Sequence, residues 1–462
     1  MTFRDYLGAL LRQRVAVVGA GISNIPLIEA LLLAGVDTTV RDRRCRAELG
    51  DYADRFEALG ARLRLGDDYL GSLDEDVIFR TPGLMPSNRA LVDAIGRGSL
   101  LTSEMEAFFD VCPCKIIAVT GSDGKTTTTS IIAELLRNEG RMVHVGGNIG
   151  MPLLCKADEM KPDDIAVLEL SSFQLITMKK SPDIAVVTNL APNHLDIHKN
   201  MDEYVEAKRN IFIHQNRSDK AVFNFNNEYT RAFSNSAPGE ILFFSSHEKV
   251  NNGVYIDGGT IYEARDGWSE KVIQADDIWL PGTHNIENFM AAFAAVRGIV
   301  SNVVMLETAR AFRGVPHRIE FVRELHGARY YNDSIASSPS RTIAGLRAFE
   351  QKVILIAGGK DKGVAFDELG KEIVSRVKTL VLTGLTTEMI RSAVVRVPEY
   401  DGMPEIILRN DFTDAILAAA ESAKEGDVVL LSPACTSFYR FKNFEERGET
   451  FRNIVWHLTI KS

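Results

Sequence analysis

The distribution of apolar residues along the chain predicts alternating strands and helices. Short, continuous apolar runs are typical of strands buried on both faces of a parallel sheet. The predicted strands cover residues 14–19, 37–40, 76–79, 116–119, 165–170, 184–188, 353–356, 380–383, 405–408 and 428–431. Between them, apolar residues recur at helical spacing, as at Ile131, Ile132, Leu135 and Leu136. This alternation predicts an α/β protein built from doubly wound, Rossmann-like units.

The same pattern predicts three domains. It begins again at Lys115, and a third time beyond the stretch 312–318, whose Gly314 and Pro316 predict a hinge. We therefore expect domains at 1–110, 111–313 and 314–462. Short strands over 221–262, with an Asp-Gly-Gly turn, predict a small β insertion in the middle domain.

Composition narrows the classes of protein that fit this pattern. The 462 residues suit about three domains, and 45% of them are hydrophobic. A net charge of −9 argues against a nucleic-acid partner. No run of about 18 apolar residues predicts a membrane span, and the start lacks the pattern of a secretory signal. Five cysteines, with Cys112 and Cys114 lacking a second pair for zinc, indicate reduced thiols in a cytoplasm.

A phosphate-binding loop is predicted after the strand 116–119. The sequence Thr-Gly-Ser-Asp-Gly-Lys-Thr-Thr begins at Thr120, and a helical pattern follows it. Glycines let backbone N–H groups close around phosphate oxygens, and the helix N-terminus adds partial positive charge. Lys125 would reach the β- and γ-phosphates of a nucleotide, and Thr126 or Thr127 would bind Mg²⁺. A glycine turn that caps a helix beside an unrelated lysine is the alternative.

The first predicted strand ends in a second glycine turn. Gly19-Ala-Gly21 precedes a helix, and Asp42 lies at about the distance of an acid that binds a ribose hydroxyl. Asn24 replaces the third glycine of the dinucleotide pattern. NAD, another nucleotide and a structural turn therefore all remain open. Arg43 and Arg44 favour a phosphate or a uracil-type base over nicotinamide.

Other candidate residues lie where predicted strands or helices end. Thr81-Pro-Gly follows the strand 76–79, and ligands bind at that end of such sheets. Glu169 would face the phosphate loop and hold Mg²⁺, unless it is a surface glutamate. His194 follows the strand 184–188 on the same side, although a lone histidine is usually structural. Asn285 and Asn288 share one face at a helix N-terminus.

Lys208 lies within the apolar stripe of a helix predicted over 203–212. Such a lysine usually extends its amine to water. Alternatively it is desolvated or modified for chemistry. The pattern alone leaves both interpretations open.

These motifs together resemble the Mur ligases of peptidoglycan synthesis, and the resemblance covers the whole chain. Its most specific parts are the phosphate loop, Leu-Glu-Leu-Ser-Ser-Phe-Gln at 168–174, His-Asn-x-x-Asn at 284–288, His-Arg-Ile-Glu at 317–320, Asn-Asp-Ser at 332–334, and Ser-Pro-Ala-Cys-Thr-Ser…Phe-Lys-Asn-Phe-Glu-Glu-Arg-Gly at 432–448. The last is similar to the glutamate-adding members. Folylpolyglutamate synthases share the central loop but lack the N-terminal nucleotide-type domain.

The resemblance implies an ATP-dependent amide ligase. It would join D-glutamate to UDP-N-acetylmuramoyl-L-alanine through an acyl phosphate. It implies ATP, two Mg²⁺ ions and a carbamylated Lys208. The protein would be a cytoplasmic monomer acting on small molecules, with no nucleic-acid or membrane partner.

The resemblance also assigns roles to residues of this sequence. The catalytic residues would be Lys125, Lys208, His194 and Glu169. ATP would be bound by Gly121, Ser122, Asp123, Gly124, Lys125, Thr126, Thr127, Asn285, Asn288, Arg318 and Asp333. The UDP substrate would be bound by Ile22, Ser23, Asp42, Arg43, Arg44, Thr81, Pro82, Gly83 and Asn148. Glutamate would be bound by Ser337, Lys362, Ser437 and Phe444. The metal ligands would be Thr127, Glu169, His194 and carbamylated Lys208.

One position departs from the family pattern. The family commonly continues Asn-Asp-Ser with Lys-Ala-Thr, where this chain has Ile335-Ala336-Ser337. A positive charge is thereby lost near the expected amino-acid pocket, which leaves selectivity for glutamate, and for D over L, open. The alternatives are a ligase of the same superfamily for another amino acid or folate, a nicotinamide oxidoreductase, and a nucleotide-binding switch or scaffold protein.

Overall fold

The computed structural model describes residues 1–192, 197–361, 365–438 and 440–458. The chain divides into two compact units, Met1–Phe312 and Arg313–Ser462. Two sheets lie in the first unit and one in the second. The predicted α/β class with three mainly parallel sheets is therefore confirmed, while the division of the first unit into two domains stays a prediction.

The first sheet has five parallel strands in the order β3-β2-β1-β4-β5. Its strands are β1 Arg14–Val18, β2 Asp37–Asp42, β3 Arg62–Leu65, β4 Val77–Arg80 and β5 Leu100–Thr102. Its helices are α1 Phe3–Leu10, α2 Asn24–Leu33, α3 Arg46–Leu49, α4 Asp51–Ala58, α5 Arg89–Gly96 and α6 Glu104–Val111. β1 lies between β2 and β4, so the side of β1 on which later strands are added changes after β3. This reversal creates the crevice at the strand ends where doubly wound sheets bind ligands.

A buried ion pair stabilises the first sheet. Arg41 on β2 lies 2.9 Å from Glu75, and both side chains are almost completely buried. The guanidinium also donates to the carbonyls of Tyr69, Gly71 and Ser72. We expect Arg41→Met to lower the free energy of unfolding by about 3–5 kcal/mol, because Glu75 would stay buried without its partner.

Urea-induced unfolding of the two proteins measures this effect. Arg14→Met is the matched control, because Arg14 forms its ion pairs with Asp74 and Asp76 at the exposed start of β1. An equal loss of stability in both variants would contradict the role of burial.

The second sheet has nine strands in the order β14-β13-β12-β11-β10-β9-β6-β8-β7. Its strands are β6 Lys115–Thr120, β7 Val143–Gly147, β8 Ile165–Glu169, β9 Ile184–Val187, β10 Lys220–Asn224, β11 Glu240–Ser245, β12 Gly253–Asp257, β13 Thr260–Arg265 and β14 Trp268–Gln274. Its helices are α7 Lys125–Asn138, α8 Ser172–Leu175, α9 Met201–Arg209, α10 Glu228–Phe233, α11 Thr283–Ala295 and α12 Asn302–Ala311, with 3₁₀ turns at Leu154–Glu159 and Ala275–Asp277. Both faces of β6 are buried, which explains its continuous apolar run.

Two sequence predictions for this sheet need refinement. The short strands expected as an insertion extend the main sheet: β10 and β11 pair in parallel with their neighbours, and only β12 to β14 are antiparallel to one another. The helix predicted to reach Phe212 ends at Arg209. Beyond it, Ile211 and Phe212 donate to carbonyls three residues back and bury their side chains, so the apolar pattern continues although the helix does not.

The third sheet forms the second unit, in the order β15-β16-β20-β17-β18-β19. Its strands are β15 Glu320–Leu325, β16 Ala328–Asn332, β17 Val353–Ala357, β18 Val377–Leu382, β19 Glu405–Leu408 and β20 Val428–Leu431. Its helices are α13 Pro339–Arg347, α14 Asp367–Arg376, α15 Thr387–Val395, α16 Phe412–Ser422 and α17 Phe444–His457. Only β15 is antiparallel to its neighbour. Across the described residues, no helix combines the length and apolarity that a membrane span needs.

Candidate active site

The phosphate loop has the predicted strand–loop–helix geometry. It leaves β6 at Thr120 and enters α7 at Lys125. Gly121 has a φ of +153°, and a Cβ there would lie 1.9 Å from the Thr188 hydroxyl. Gly124 has a φ of +76° and would bring a Cβ to 2.3 Å from the amide oxygen of Asn288. Both glycines are therefore required by close packing and backbone conformation.

Lys125 is part of this loop rather than an unrelated surface residue. Its Nζ donates to the carbonyls of Gly121 at 2.9 Å and Ser122 at 2.8 Å. Thr126 and Thr127 follow it in the first turn of α7, where N–H groups without helical partners favour anions. This arrangement can hold a phosphate group between the loop backbone, the ammonium and the helix N-terminus.

Two further contacts hold the loop against the neighbouring elements. The Ser122 hydroxyl lies 2.9 Å from the Ala191 carbonyl and 3.0 Å from the Tyr204 hydroxyl on α9. The amide of Asp123 donates to the Asn189 side chain at 2.9 Å, while the Asp123 carboxylate is exposed. Tyr204 was not predicted as a site residue, since an aromatic at helical spacing looks like any other core position.

Glu169 is buried at the end of β8, with 1% of its surface exposed, so the interpretation as a surface glutamate is wrong. Asn148 donates its side-chain amide to Oε1 at 2.7 Å, and its backbone amide to the Glu169 carbonyl at 2.7 Å. Oε2 has no hydrogen-bond partner among the described residues. A buried acceptor without a donor is rare in folded proteins and indicates a position for a cation or another ligand.

Lys208 is also buried, with 1% of its surface exposed, so the interpretation that its amine extends to water is wrong. Nζ donates to the Thr120 hydroxyl at 3.0 Å and to the Gly121 carbonyl at 2.9 Å, and lies 4.9 Å from the centre of the Tyr204 ring. Lys125 donates to the same Gly121 carbonyl. Burial, and after it the charge of Lys125, holds the pKa of Lys208 well below its ordinary value.

Asn285 and Asn288 lie on one face of α11, as predicted. The Asn288 amide oxygen accepts from Thr128 at 3.2 Å, and its nitrogen donates to Asn285 at 3.4 Å. These contacts place the start of α11 beside the first turns of α7. His194 lies outside the described residues, so its role stays a prediction.

At the first sheet, both carboxylate oxygens of Asp42 already accept hydrogen bonds from other groups of the protein. Its carboxylate accepts from the Ala20 amide at 2.7 Å and from the backbone and guanidinium of Arg44 at 2.8–2.9 Å. Burial alone would raise the pKa of Asp42, but these hydrogen bonds lower it below its ordinary value. The four contacts use the acceptor positions that a ribose hydroxyl needs, which disfavours the NAD interpretation. Asp42 instead orients Arg44.

The other residues predicted to bind the UDP substrate lie at the same end of this sheet. Thr81 packs against Gly19, where a Cβ would lie 2.9 Å from Thr81 Cβ, and its amide donates to the Val18 carbonyl. Ile22 is 83% exposed, an unusual state for an isoleucine. Arg43 and Gly83 are exposed, and Ser23 and Pro82 are half-buried. The structure thus gathers these residues at the predicted crevice without assigning them a ligand.

In the second unit, Asp333 lies at the end of β16. Its carboxylate accepts from the Ser432 hydroxyl at 2.7 Å and the Ile319 amide at 3.3 Å. Burial raises the pKa of Asp333 to about 7. Arg318, in the segment before β15, is exposed.

Two loops of the second unit meet at Arg447 of α17, which was not predicted as a site residue. Arg447 is 2% exposed and donates to the hydroxyl and carbonyl of Ser334 and to the Cys435 carbonyl. The Ser334 hydroxyl donates to the Phe444 carbonyl at 2.8 Å. Arg447 belongs to the motif 441–448, but a motif does not distinguish a buried arginine from an exposed one.

These loops also carry the residues expected to bind glutamate. Ser337 and Phe444 are half-buried, and Ser437 is buried. The Ala434 amide donates to the Ala336 carbonyl, which holds the loops of Ser337 and Ser437 side by side. Lys362 lies outside the described residues.

Comparisons with known proteins agree with this architecture. Residues 119–296 match the Mur ligase middle domain, and residues 317–435 match the glutamate ligase domain of Mur ligases. The chain is 48% identical over 450 residues to UDP-N-acetylmuramoylalanine–D-glutamate ligase of Ruminiclostridium cellulolyticum, covering 96% of this chain and 97% of that one. It is also 48% identical to the protein of the same name in Clostridium novyi, over 99% of each chain.

Solved structures share the fold at low sequence identity. UDP-N-acetylmuramate-alanine ligase of Thermotoga maritima aligns with a TM-score of 0.54 at 18% identity, over 96% of this chain and 99% of that one. The MurF ligase of the same organism, in complex with ADP, aligns with a TM-score of 0.51 at 20% identity, over 96% and 94%. The two domain matches and the full-length relatives lead to one conclusion: the chain belongs to the Mur ligase family.

Proposed function

We propose that this protein adds D-glutamate to UDP-N-acetylmuramoyl-L-alanine, with conversion of ATP to ADP and phosphate. The main support for this proposal is 48% identity, over nearly the full chain, to relatives that are named for this activity. The phosphate loop with Lys125 supports ATP as the energy source. The product would be a precursor of peptidoglycan, and we propose that the enzyme acts in the cytoplasm.

The chemistry requires activation of a carboxylate, which is a poor acyl donor. The alanyl carboxylate attacks the γ-phosphorus of ATP, the bond to the β,γ-bridging oxygen breaks, and ADP leaves. The resulting acyl phosphate is attacked by the amine of glutamate, and phosphate leaves from the tetrahedral intermediate. Lys125 and the N-terminus of α7 would hold the β- and γ-phosphates throughout the transfer.

The residues around Glu169 fit a bound Mg²⁺. Oε2 of Glu169 is a buried, unpartnered oxygen, and Asn148 fixes the orientation of the carboxylate. Carboxylate and hydroxyl oxygens are the ligands that Mg²⁺ prefers. Glu169 and Thr127 would hold one ion, and His194 with carbamylated Lys208 a second. Bound Mg²⁺ would neutralise charge between the phosphates and the carboxylate.

The surroundings of Lys208 support the proposed carbamylation. No carboxylate of the described residues lies within ion-pair distance of this buried amine. A buried ammonium without a counter-ion is costly, and Lys125 lies nearby. Addition of CO₂ to the neutral amine forms an N–C bond and releases one proton, which converts the side chain to an oxygen-donor anion.

The remaining residues divide among three ligands. The UDP part would be bound at the first sheet by Ile22, Ser23, Arg43, Arg44 and Thr81 to Gly83, with Asp42 orienting Arg44. Asn148 and His194 would face the muramoyl-alanine part. Adenosine and the γ-phosphate would be bound by Asn285, Asn288, Arg318 and Asp333, and glutamate by Ser337, Lys362, Ser437 and Phe444. We further propose that the enzyme acts as a monomer.

A ligase for another amino acid, including L-glutamate, is the second candidate. Ile335 favours it, because an apolar residue stands where a positive charge is common in the family.

An amino-acid panel tests the proposed function. Phosphate release is measured with ATP, Mg²⁺ and UDP-N-acetylmuramoyl-L-alanine, adding D-glutamate, L-glutamate, D-aspartate, D-glutamine or glycine. We expect release with D-glutamate that depends on both substrates and matches formation of the amide by mass. Release with L-glutamate alone would favour the second candidate, and release without any amino acid would favour a nucleotide-hydrolysing switch protein.

A further inference from the structure

The loop after β16 carries an acid but no cation. Its residues 333–338 read Asp-Ser-Ile-Ala-Ser-Ser, and they lead directly into α13. Asp333 is buried near the start of this loop, and Ser337, a proposed glutamate ligand, lies near its end. Ile335 between them is half-buried. A pocket for an acidic amino acid at this loop therefore takes its positive charge from other parts of the chain, and a substrate with two carboxylates can use a second cation besides the proposed Lys362.

Arg341 brings such a charge back to the loop. It belongs to α13, and its Nη1 donates to the Ile335 carbonyl at 3.2 Å. Its charge also acts on Asp333, where it opposes the effect of burial on the carboxyl pKa. The guanidinium thus lies beside the backbone of the residue that stands where the family commonly has a lysine.

The guanidinium of Arg341 is available to a ligand. It is exposed, and no carboxylate of the described residues pairs with it. Its bond to Ile335 uses one of the five N–H donors of the side chain. Arg347, six residues further along the same helix, differs: it forms two hydrogen bonds of 3.0 Å with the Glu372 carboxylate.

Helix stability does not explain the position of Arg341. It is the third residue of α13, within the first turn. The partial positive charge of a helix N-terminus disfavours a cation there and favours an acid. No acidic residue occupies this turn. An unpaired arginine at an unfavourable position, directed to a site loop, indicates a function in binding an anion.

We propose that Arg341 binds a carboxylate of the incoming amino acid, and that it supplies the charge that Ile335 does not. The proposal rests on the proposed function and makes Arg341 a specificity-determining residue for an acidic substrate. A planar guanidinium matches a carboxylate with two parallel hydrogen bonds. The amino acid is the favoured anion rather than ATP, because the loop that Arg341 contacts adjoins the loop of Ser437 through the Ala434–Ala336 hydrogen bond.

Steady-state kinetics of the full-length enzyme test this role. Arg341→Ala is expected to raise KM for D-glutamate about tenfold or more, because the hydrogen bonds to a charged group are lost. KM for ATP and for UDP-N-acetylmuramoyl-L-alanine should stay within about twofold. Arg341→Lys should keep part of the affinity, because it keeps the charge. Arg347→Ala is the matched control on the same helix and should leave all three constants unchanged.

A charge swap separates binding from a structural role. Ile335→Lys combined with Arg341→Ala restores a positive charge where the family commonly has a lysine, and it should lower KM for D-glutamate again. An unchanged KM for D-glutamate in active Arg341→Ala, or an equal rise in KM for ATP, overturns the proposal. If the double variant folds but keeps the high KM for D-glutamate of Arg341→Ala, a cation at position 335 does not replace Arg341, and that part of the proposal is overturned. If the wild-type protein makes no amide with D-glutamate, the proposed function itself fails.

Discussion

Lys125→Ala is expected to abolish ATP-dependent amide formation while the protein stays folded. Lys125 donates to two carbonyls of its own loop and leads the first turn of α7, so its ammonium lies where phosphates would be held. Removing one preorganised charged donor from such a site lowers kcat by about 10²–10³-fold or more. The measurement is phosphate release with UDP-N-acetylmuramoyl-L-alanine and D-glutamate, combined with circular dichroism and a thermal unfolding curve.

Lys115→Ala is the matched control for this variant. Lys115 is the exposed first residue of the same strand, β6, and lies at the end opposite the phosphate loop. The Lys115→Ala variant should retain the wild-type rate of phosphate release. A folded Lys125→Ala enzyme with near-normal turnover would show that the loop has another purpose and would remove the basis for ATP chemistry at this site.

The second large effect is expected at Lys208. Lys208→Ala should lose most activity, because the buried oxygen-donor anion proposed to face Mg²⁺ would be absent. Formate or acetate in the buffer should restore part of the rate by supplying a carboxylate to the space left by the side chain. A purely structural lysine would not respond to added carboxylates. Arg209→Ala, at the next position of α9, is the control and should stay active without them.

The modification itself has an independent readout. Wild-type protein equilibrated with ¹³C-bicarbonate should show a carbamate carbon signal that is absent from Lys208→Ala. The signal should weaken in acid, because protonation of the carbamate leads to loss of CO₂. An active wild-type enzyme that shows no such signal and an unmodified Lys208 amine would refute carbamylation and leave a buried, neutral lysine.

The local elements of the site could be predicted from the sequence because they depend on short-range rules. The phosphate loop needs an apolar strand, two glycines and a helix start within a few residues, and all three occur between Lys115 and Asn138. Asn285 and Asn288 are three residues apart on a helix, so their shared face follows from helical geometry. The parallel sheets follow from apolar runs that alternate with helical patterns.

The sequence pattern left the interpretation open where burial decides the role of a side chain. The apolar pattern alone was consistent with Lys208 reaching water and with Glu169 at the surface. Both are buried in the folded chain. β8, which ends at Glu169, pairs with β6, and Lys208 of α9 donates to Thr120 at the end of β6, 88 positions away in the chain. Periodicity reports which face of a helix is apolar, but it does not report how deeply that face is covered.

The sequence by itself determined the class of the fold, the phosphate loop and, through its motifs, the family. Tertiary structure alone decided that Arg41 pairs with Glu75, that Asn148 orients Glu169, and that Arg447 joins two loops. The physical reason is the range of the interactions. Strand, turn and helix preferences act over a few residues, whereas the partner of a buried charge is set by segments that meet only when the chain folds.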